Sequence, residues 1–441
     1  MRSTHRSIAR AVAAVAGATV LLAACGGGSD SGSGGGGGSS DDPGITDTSI
    51  TIGTHMPLTG VAAPGYSDIP VGAKAYWDYI NDQGGINGRK INYISRDDAY
   101  NPTNTAAVTN QLVLQDKVFA MTQGLGTAPH SAVLDFLDEN KVPDLFVSSG
   151  ALAWNQPEKY PETFGWQPDY TVEGKIMGKY IKDNFPNAKV GLFLQGDDFG
   201  RDGGAGAKKF ISNQIVKEVT YTSGNTDVSS QIQQLKAAGA DLVMGFNVPA
   251  YTALSQLQSL AQGFKAQWFY SGVGLDPTLV GGLLNTFSKG AVSGGANALD
   301  GLYTTAYLNN VTQTDNPWVQ LWQKVWAAKG NGKPLTNFDI YGMAGAYTFA
   351  QTLAAAGKDV SRESLTKALE DKGGKFAGPP LAPYAYSKDS HRGISGVKVV
   401  QLQGGKVVDK TVVQTTGDGD EPVENTTFTQ GTPPANGIPT G

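Results

Sequence analysis

The stretch ITIGTHMPLTG at 50–60, followed ten residues later by VGAKAYWDYINDQGGINGRKINYISRDDAYNP at 71–102, decides how this chain folds. Ile50 and Ile52 alternate with Thr51 and Gly53, the two-residue period of a strand. Val71, Ala75 and Tyr79 recur at helical spacing, with Tyr76 and Ile80 beside them. Gly84, Gly85 and Gly88 end that helix and turn the chain. Ile91, Tyr93 and Ile94 open a second strand. Strand, loop, helix, strand is the crossover unit of a parallel sheet. The loop at the carboxyl end of the first strand is where such sheets hold ligands.

The same alternation runs outward from this unit. A helix is expected near 103–115, opened by Asn101-Pro102, then a strand at 118–122 and the loop QGLGTAPHS at 123–131. A strand at 144–147 runs into Ser148-Ser149-Gly150-Ala151. A helix over 170–185 leads to a strand at 190–194 and a loop, QGDDFGRDGG, at 195–204. Further strands fall at 241–246 and 267–270, with a helix at 251–262 between them. Two comparable halves of this kind predict an α/β protein with two Rossmann-like, mainly parallel sheets. After Gly301 the pattern changes to a strand at 302–308, helices at 317–329, 340–356 and 362–371, and a hairpin around Gly404-Gly405. Residues 414–441 are expected to form a flexible tail, because 421–441 has no periodicity.

Hydrophobic residues make up 40% of the 441 positions and charged residues 17%, enough apolar surface for two domain cores. The formal net charge is −5, and losing Arg2, Arg6 and Arg10 with the first 24 residues takes it to −8. That balance excludes a nucleic-acid binder, which needs a basic footprint. The one cysteine, Cys25, excludes an intrachain disulfide. Residues 1–24 read as a signal peptide: a short basic start, then a small apolar run too short to span a bilayer. Leu22-Ala23-Ala24-Cys25 resembles a bacterial lipobox, which implies cleavage before Cys25 and lipidation of its thiol. The Gly/Ser-rich segment 25–44 is a flexible tether, and its coil places the body about 25 Å from the anchor.

The histidines His5, His55, His130 and His391 show no metal-ligand spacing, and the chain has no HExxH, CxxC or GxSxG motif. No cofactor and no enzymatic activity are expected. A hydrolase pairing His130 with Ser148 or Ser149 is the enzymatic alternative.

The pair NDQGGINGRK (81–90) and DDAYNP (97–102), with ITIGTHMPLTG, LVLQDKV (112–118) and GLGTAPHS (124–131), resembles the type I periplasmic binding proteins. The likeness is to the leucine/isoleucine/valine-type solute receptors of ABC importers and covers about 45–413. It implies two lobes joined by three hinge crossovers, the first holding 45–167 and 309–380, the second 168–308 and 381–413. It further implies a monomeric, extracytoplasmic, lipid-anchored receptor that grips a small solute in the cleft and presents it to ABC permease subunits. A sensor serving a membrane signalling partner is the alternative on the same fold.

Site candidates follow from strand-end position and from the resemblance. Leu125, Gly126 and Thr127 follow a strand and open a helix, where free N–H groups favour an anion; the family holds its ligand's carboxylate here. Ser148, Ser149 and Gly150 match the second ligand loop, with Ala151 where amino-acid binders carry threonine. Thr59 and Tyr66 come from the first loop, Tyr66 one residue from the family's tyrosine. Phe199 aligns with an aromatic that covers the ligand, Asn247 with a strand-end tyrosine, and Val273 with the place of a glutamate that meets an ammonium. That missing acid predicts either an amino acid paired through Asp197 or Asp198 or a solute without an ammonium, since an unpaired buried ammonium costs several kcal/mol. Trp318, Trp322 and Trp326 recur every four residues, as a helix face against the sheet.

Overall fold

The structure, a computed structural model, describes residues 42–440. The signal peptide, Cys25 and most of the tether lie outside the described residues. Two sheets organise the body. The first contains β1 (Ser49–Met56), β2 (Lys90–Asp97), β3 (Ala120–Thr122), β4 (Asp144–Val147) and β5 (Thr163–Gly165), all parallel, in the order β2-β1-β3-β4-β5. β1 and β2 pair over their whole length, from Ser49 opposite Lys90 to Met56 opposite Asp97.

The second sheet repeats that order. β6 (Val190–Gln195), β7 (Ile215–Tyr221), β8 (Leu242–Phe246), β9 (Gln267–Tyr270) and β10 (Tyr303–Ala306) run parallel as β7-β6-β8-β9-β10. Antiparallel strands extend it beyond β10: β11 (Gly396–Gln403), its hairpin partner β12 (Lys406–Asp409), then β13 (Gln414–Thr415) and β14 (Glu424–Asn425). In each sheet the connections reverse direction beside the first strand. That reversal opens a crevice at the carboxyl ends of the strands.

The chain passes three times between the sheets. It leaves β5 for the helix Tyr170–Asn184, which packs on β11 and on the helix Asp198–Ile211. It returns after β10 as the helices Pro317–Lys329 and Asn337–Ala356, which cover the helix Ile69–Asn81 of the first lobe. It re-enters the second sheet at β11. Trp318 and Trp322 are buried as expected, but against Tyr347 and Tyr76 of neighbouring helices rather than the sheet; Trp326 is half-buried.

Two further sequence expectations change. Residues 195–204 are not all loop, because the helix starts at Asp198 with the Asp197 carboxylate accepting the Phe199 N–H at 3.0 Å. Its glycines permit close helix packing. A Cβ on Gly206 would lie 2.2 Å from the Thr171 carbonyl oxygen, and one on Gly174 2.2 Å from that of Gly203.

Residues 414–440 are also not loose. Lys175 Nζ donates to the carbonyls of Gly417, Gly419 and Glu421 at 2.8, 2.9 and 2.8 Å on the second lobe. The segment then reaches the first lobe. There Trp318 Nε1 donates to the Gly431 carbonyl at 2.6 Å and Tyr76 Oη to that of Gly437 at 2.9 Å. Backbone carbonyls anchor it, so side-chain periodicity gives no sign of the attachment.

Candidate functional site

A cavity of about 160 Å³ lies between the lobes at the strand ends. Of the sequence candidates, Tyr66, Leu125, Gly126, Ser148, Phe199 and Val273 line it; Thr59, Thr127, Ser149, Gly150 and Asn247 do not.

The first-lobe wall is built from the quoted stretch. Asp97, at the end of β2, accepts the N–H groups of Leu58 (2.9 Å), Thr59 (3.2 Å) and Ala99 (2.9 Å) and the Thr59 hydroxyl (2.6 Å). Burial works against ionisation, but these donors outweigh it and hold the Asp97 carboxyl below its ordinary range. Thr59 is exposed and ties two loops together. The clasp holds Ala99 and Tyr100 at φ of 51° and 57°, and the Tyr100 ring lines the cavity. Gly126 answers it from the facing loop. Its φ is 105°, and a Cβ there would stand 2.6 Å from Tyr100 Cε2.

Beneath that loop runs a buried row of four side chains. Asp98 Oδ2 meets His55 Nδ1 at 2.8 Å, His55 Nε2 meets His130 Nδ1 at 2.8 Å, and His130 Nε2 meets Asp144 Oδ2 at 2.7 Å. All four are 0% exposed. A Cβ on Gly124 would strike both imidazoles, at 2.6 and 2.7 Å, so the loop rests on the histidine pair. Both His130 nitrogens are engaged here, away from Ser148 and Ser149. The hydrolase pairing is therefore not formed.

Thr127 and Ser149 are buried behind the wall, their hydroxyls 2.7 Å apart. Gly150 packs on the crossover into the second lobe: its carbonyl accepts the Tyr170 N–H at 2.7 Å, and a Cβ would meet the Pro168 carbonyl at 2.4 Å. Asn247 is fully buried in its turn, donating to Thr252 Oγ1 at 2.6 Å, and its neighbour Val248 lines the cavity instead. Neither Asp197 nor Asp198 lines the cavity. Asp197 caps its helix and accepts Gln195 Nε2 at 2.8 Å, and Asp198 pairs with Arg201. Asp276 caps the helix Pro277–Phe287 and accepts Asn337 Nδ2 at 2.5 Å.

Sequence reasoning missed the aromatic lining: Tyr100, Tyr170, Tyr307, Phe338 and Tyr341. Tyr170 and Phe199 pack at 4.3 Å between centroids, and Tyr66 meets Phe338 edge-on at 5.8 Å. Tyr341 Oη donates to Gln167 Oε1 at 3.0 Å, and Gln195 Nε2 donates to Tyr100 Oη at 3.3 Å. Burial pushes the phenols of Tyr66, Tyr100, Tyr170 and Tyr341 upward, so they stay neutral hydrogen-bonding groups. Tyr66 Oη and Ser148 Oγ are buried and lack a hydrogen-bond partner among the described residues. The cleft thus combines aromatic walls with a few neutral donors, the Lys398–Asp409 ion pair (2.8 Å) and the helix-capping Asp276, apolar walls with a few polar groups as in a small-molecule site.

A family model described as periplasmic binding protein matches residues 49–406. "Leu/Ile/Val-binding protein homolog 1" of Brucella abortus is 28% identical over 343 residues, covering 74% of this chain and 83% of the relative. Among solved structures, a branched-chain amino acid ABC transporter protein from Thermus thermophilus with bound valine superposes with a TM-score of 0.72 at 20% identity. It covers 85% of this chain and 98% of that one. A fatty acid ABC transporter substrate-binding protein from Thermomonospora curvata gives 0.72 at 22%, covering 86% and 95%.

Proposed function

The chain belongs to the periplasmic binding protein family, and we propose that it captures a small solute with a carboxylate or amide end and an apolar body, then delivers it to an ABC importer. The observation that carries this is the inter-lobe cavity, where Tyr66 and Ser148 hold buried hydroxyls without partners among aromatic rings. A buried hydroxyl left unpaired costs about 1–3 kcal/mol, which a hydrogen-bonding solute would recover. The polar end of the solute sits against Leu125, Gly126 and Ser148, and its body lies between Tyr66, Tyr170 and Phe199.

The relatives named above for leucine, isoleucine and valine, and the neighbours holding valine or named for fatty acids, support a carboxylate with an aliphatic body. Capture works by population shift. Lobes with hinges near 167, 308 and 380 interconvert between open and closed forms, and a solute that touches both walls favours the closed one. Lipidation of Cys25 would keep the receptor at the membrane beside its permease.

The test is calorimetry of the full chain with leucine, isoleucine, valine and medium-chain fatty acids, followed by recovery of the ligand. Saturable binding with unchanged ligand supports the receptor. Chemical conversion of the recovered ligand would overturn it.

A further inference from the structure

Residues 414–440 form a fourth connection between the lobes, a strap beside the three crossovers. Its first part lies on the second lobe, where β13 pairs with β11 and Lys175 donates to three of its carbonyls. Its last part lies on the first lobe. There Trp318, Lys324, Gln83 and Tyr76 donate to the carbonyls of Gly431, Ala435, Asn436 and Gly437 at 2.6, 3.1, 3.3 and 2.9 Å. Between these ends Gln430 sits on two of the crossovers. Its Oε1 accepts from Asn309 Nδ2 at 2.9 Å and from Asn316 Nδ2 at 3.1 Å, and its Nε2 donates to the Pro379 carbonyl. The two crossovers run side by side, the Leu381 N–H donating to the Tyr307 carbonyl at 2.9 Å. Tyr307 and Asn309 also line the cleft. One amide side chain of the strap therefore ties the cleft lining to the neighbouring crossover.

The lobes are in contact across the cleft. Gln195 Nε2 donates to Tyr100 Oη at 3.3 Å, the Leu152 N–H to Asp202 at 3.0 Å, and Asn337 Nδ2 to Asp276 at 2.5 Å. Resting on the receptor reading of this cleft, we propose that Gln430 is a clasp that favours the closed form of the lobes and so raises the affinity for the solute. Rotation of one lobe against the other is absorbed by a few connecting residues. Gln430 bonds two such segments at their closed spacing, and rotation breaks one set of its bonds. It is a positioning residue: it acts through Asn309 and through the fraction of closed molecules, which scales the apparent affinity.

The test reads opening without a solute. The crossovers leave or enter at β5, β10 and β11, on the sides of the sheets away from β2 and β7. Spin labels at Thr103→Cys and Thr226→Cys, exposed positions following β2 and β7, report the gap at the opposite rim in the full chain carrying Cys25→Ser. The expected result is that Gln430→Ala raises the population at long inter-label distances at least threefold. Gln430→Glu keeps the acceptor for both asparagines and loses the donor to Pro379, and should raise it less. Calorimetry with leucine, isoleucine, valine and octanoate should show Gln430→Ala binding any solute that the unsubstituted chain takes at least threefold more weakly. Distance distributions that match the unsubstituted chain in both variants overturn the clasp, and leave the receptor standing where a solute binds. A solute bound with equal affinity by all three proteins overturns it too. Longer distances with no binding of any of the four solutes uphold the clasp and overturn the receptor reading for these solutes. A thermal melt verifies that each substituted chain is folded, and a loss of stability alone would leave the distances unchanged.

Discussion

Each of the three hydrogen bonds in the row Asp98–His55–His130–Asp144 needs one proton between its heavy atoms. Thr105 and Thr163 donate to the outer carboxylates at 3.0 and 3.1 Å. Substituting His130→Leu leaves Asp144 and His55 without their partner in a site closed to water. The expected loss is roughly 3–5 kcal/mol, read from the urea midpoint. The double change His130→Leu/Asp144→Leu should recover part of it, since the stranded carboxylate is gone. An unmoved midpoint in the single variant would mean the row does not hold the fold together.

Glu173 makes a second prediction at this scale. Burial raises Glu173 to about 7 and Asp169 and Asp339 to about 6, all above their unfolded values. Folded-state protons are therefore held where the unfolded chain releases them. The stability from these groups is complete below about pH 4 and is lost as pH rises through 6 to 7. The melting temperature should fall across that window, and Glu173→Gln should flatten its upper part. A slope that is the same in both proteins would refute this.

At the scale of elements, the loops show what local sequence can and cannot reveal. Strand and helix periods around 50–102 are set by residues a few positions apart, so the parallel unit was readable. Thr59 is a site candidate in the sequence because it lies in the first strand-end loop. Its actual partner is Asp97, 38 residues on, and only the β1–β2 register brings the two together. Tyr100, Tyr170, Tyr307 and Tyr341 stand on four distant segments, and no local pattern marks four tyrosines as neighbours. Glycines misled in the other direction. Those at 200–204 read as loop, yet they lie in a helix, and the Gly203 carbonyl oxygen stands 2.2 Å from where a Cβ on Gly174 of the neighbouring helix would be.

Thr127 and Ser148 now separate by role. Thr127→Ala leaves the buried Ser149 hydroxyl without its partner at 2.7 Å and should cost roughly 1–2 kcal/mol of stability. Solute affinity should change little. Ser148→Ala should weaken the solute several-fold with a smaller effect on stability. Reversed effects in paired denaturation and calorimetry would return Thr127 to the cleft.

Across the whole molecule, residues 414–440 act as a strap over both lobes, lying beyond the 49–406 matched by the family model. At the second lobe the Lys175 ammonium, on a side chain 1% exposed, is surrounded by three strap carbonyls. Between the two, Gln430 accepts from Asn309 and Asn316 at 2.9 and 3.1 Å, and on the first lobe Trp318 and Tyr76 take the strap's end. The strap is thus anchored on both lobes and bridges them. Lys175→Met in the full chain removes the donor from three part-buried strap carbonyls. With hydrogen bonds to charged groups worth about 1.5–3 kcal/mol each, the strap should detach first, seen as faster proteolytic cutting within 414–440 and a lower melting temperature. In a chain ending at residue 413, Lys175 faces water, and the same substitution should cost almost nothing. The difference between these two backgrounds isolates the strap's anchorage from any other role of the lysine. Equal losses in both would show that Lys175 stabilises the second lobe without the strap.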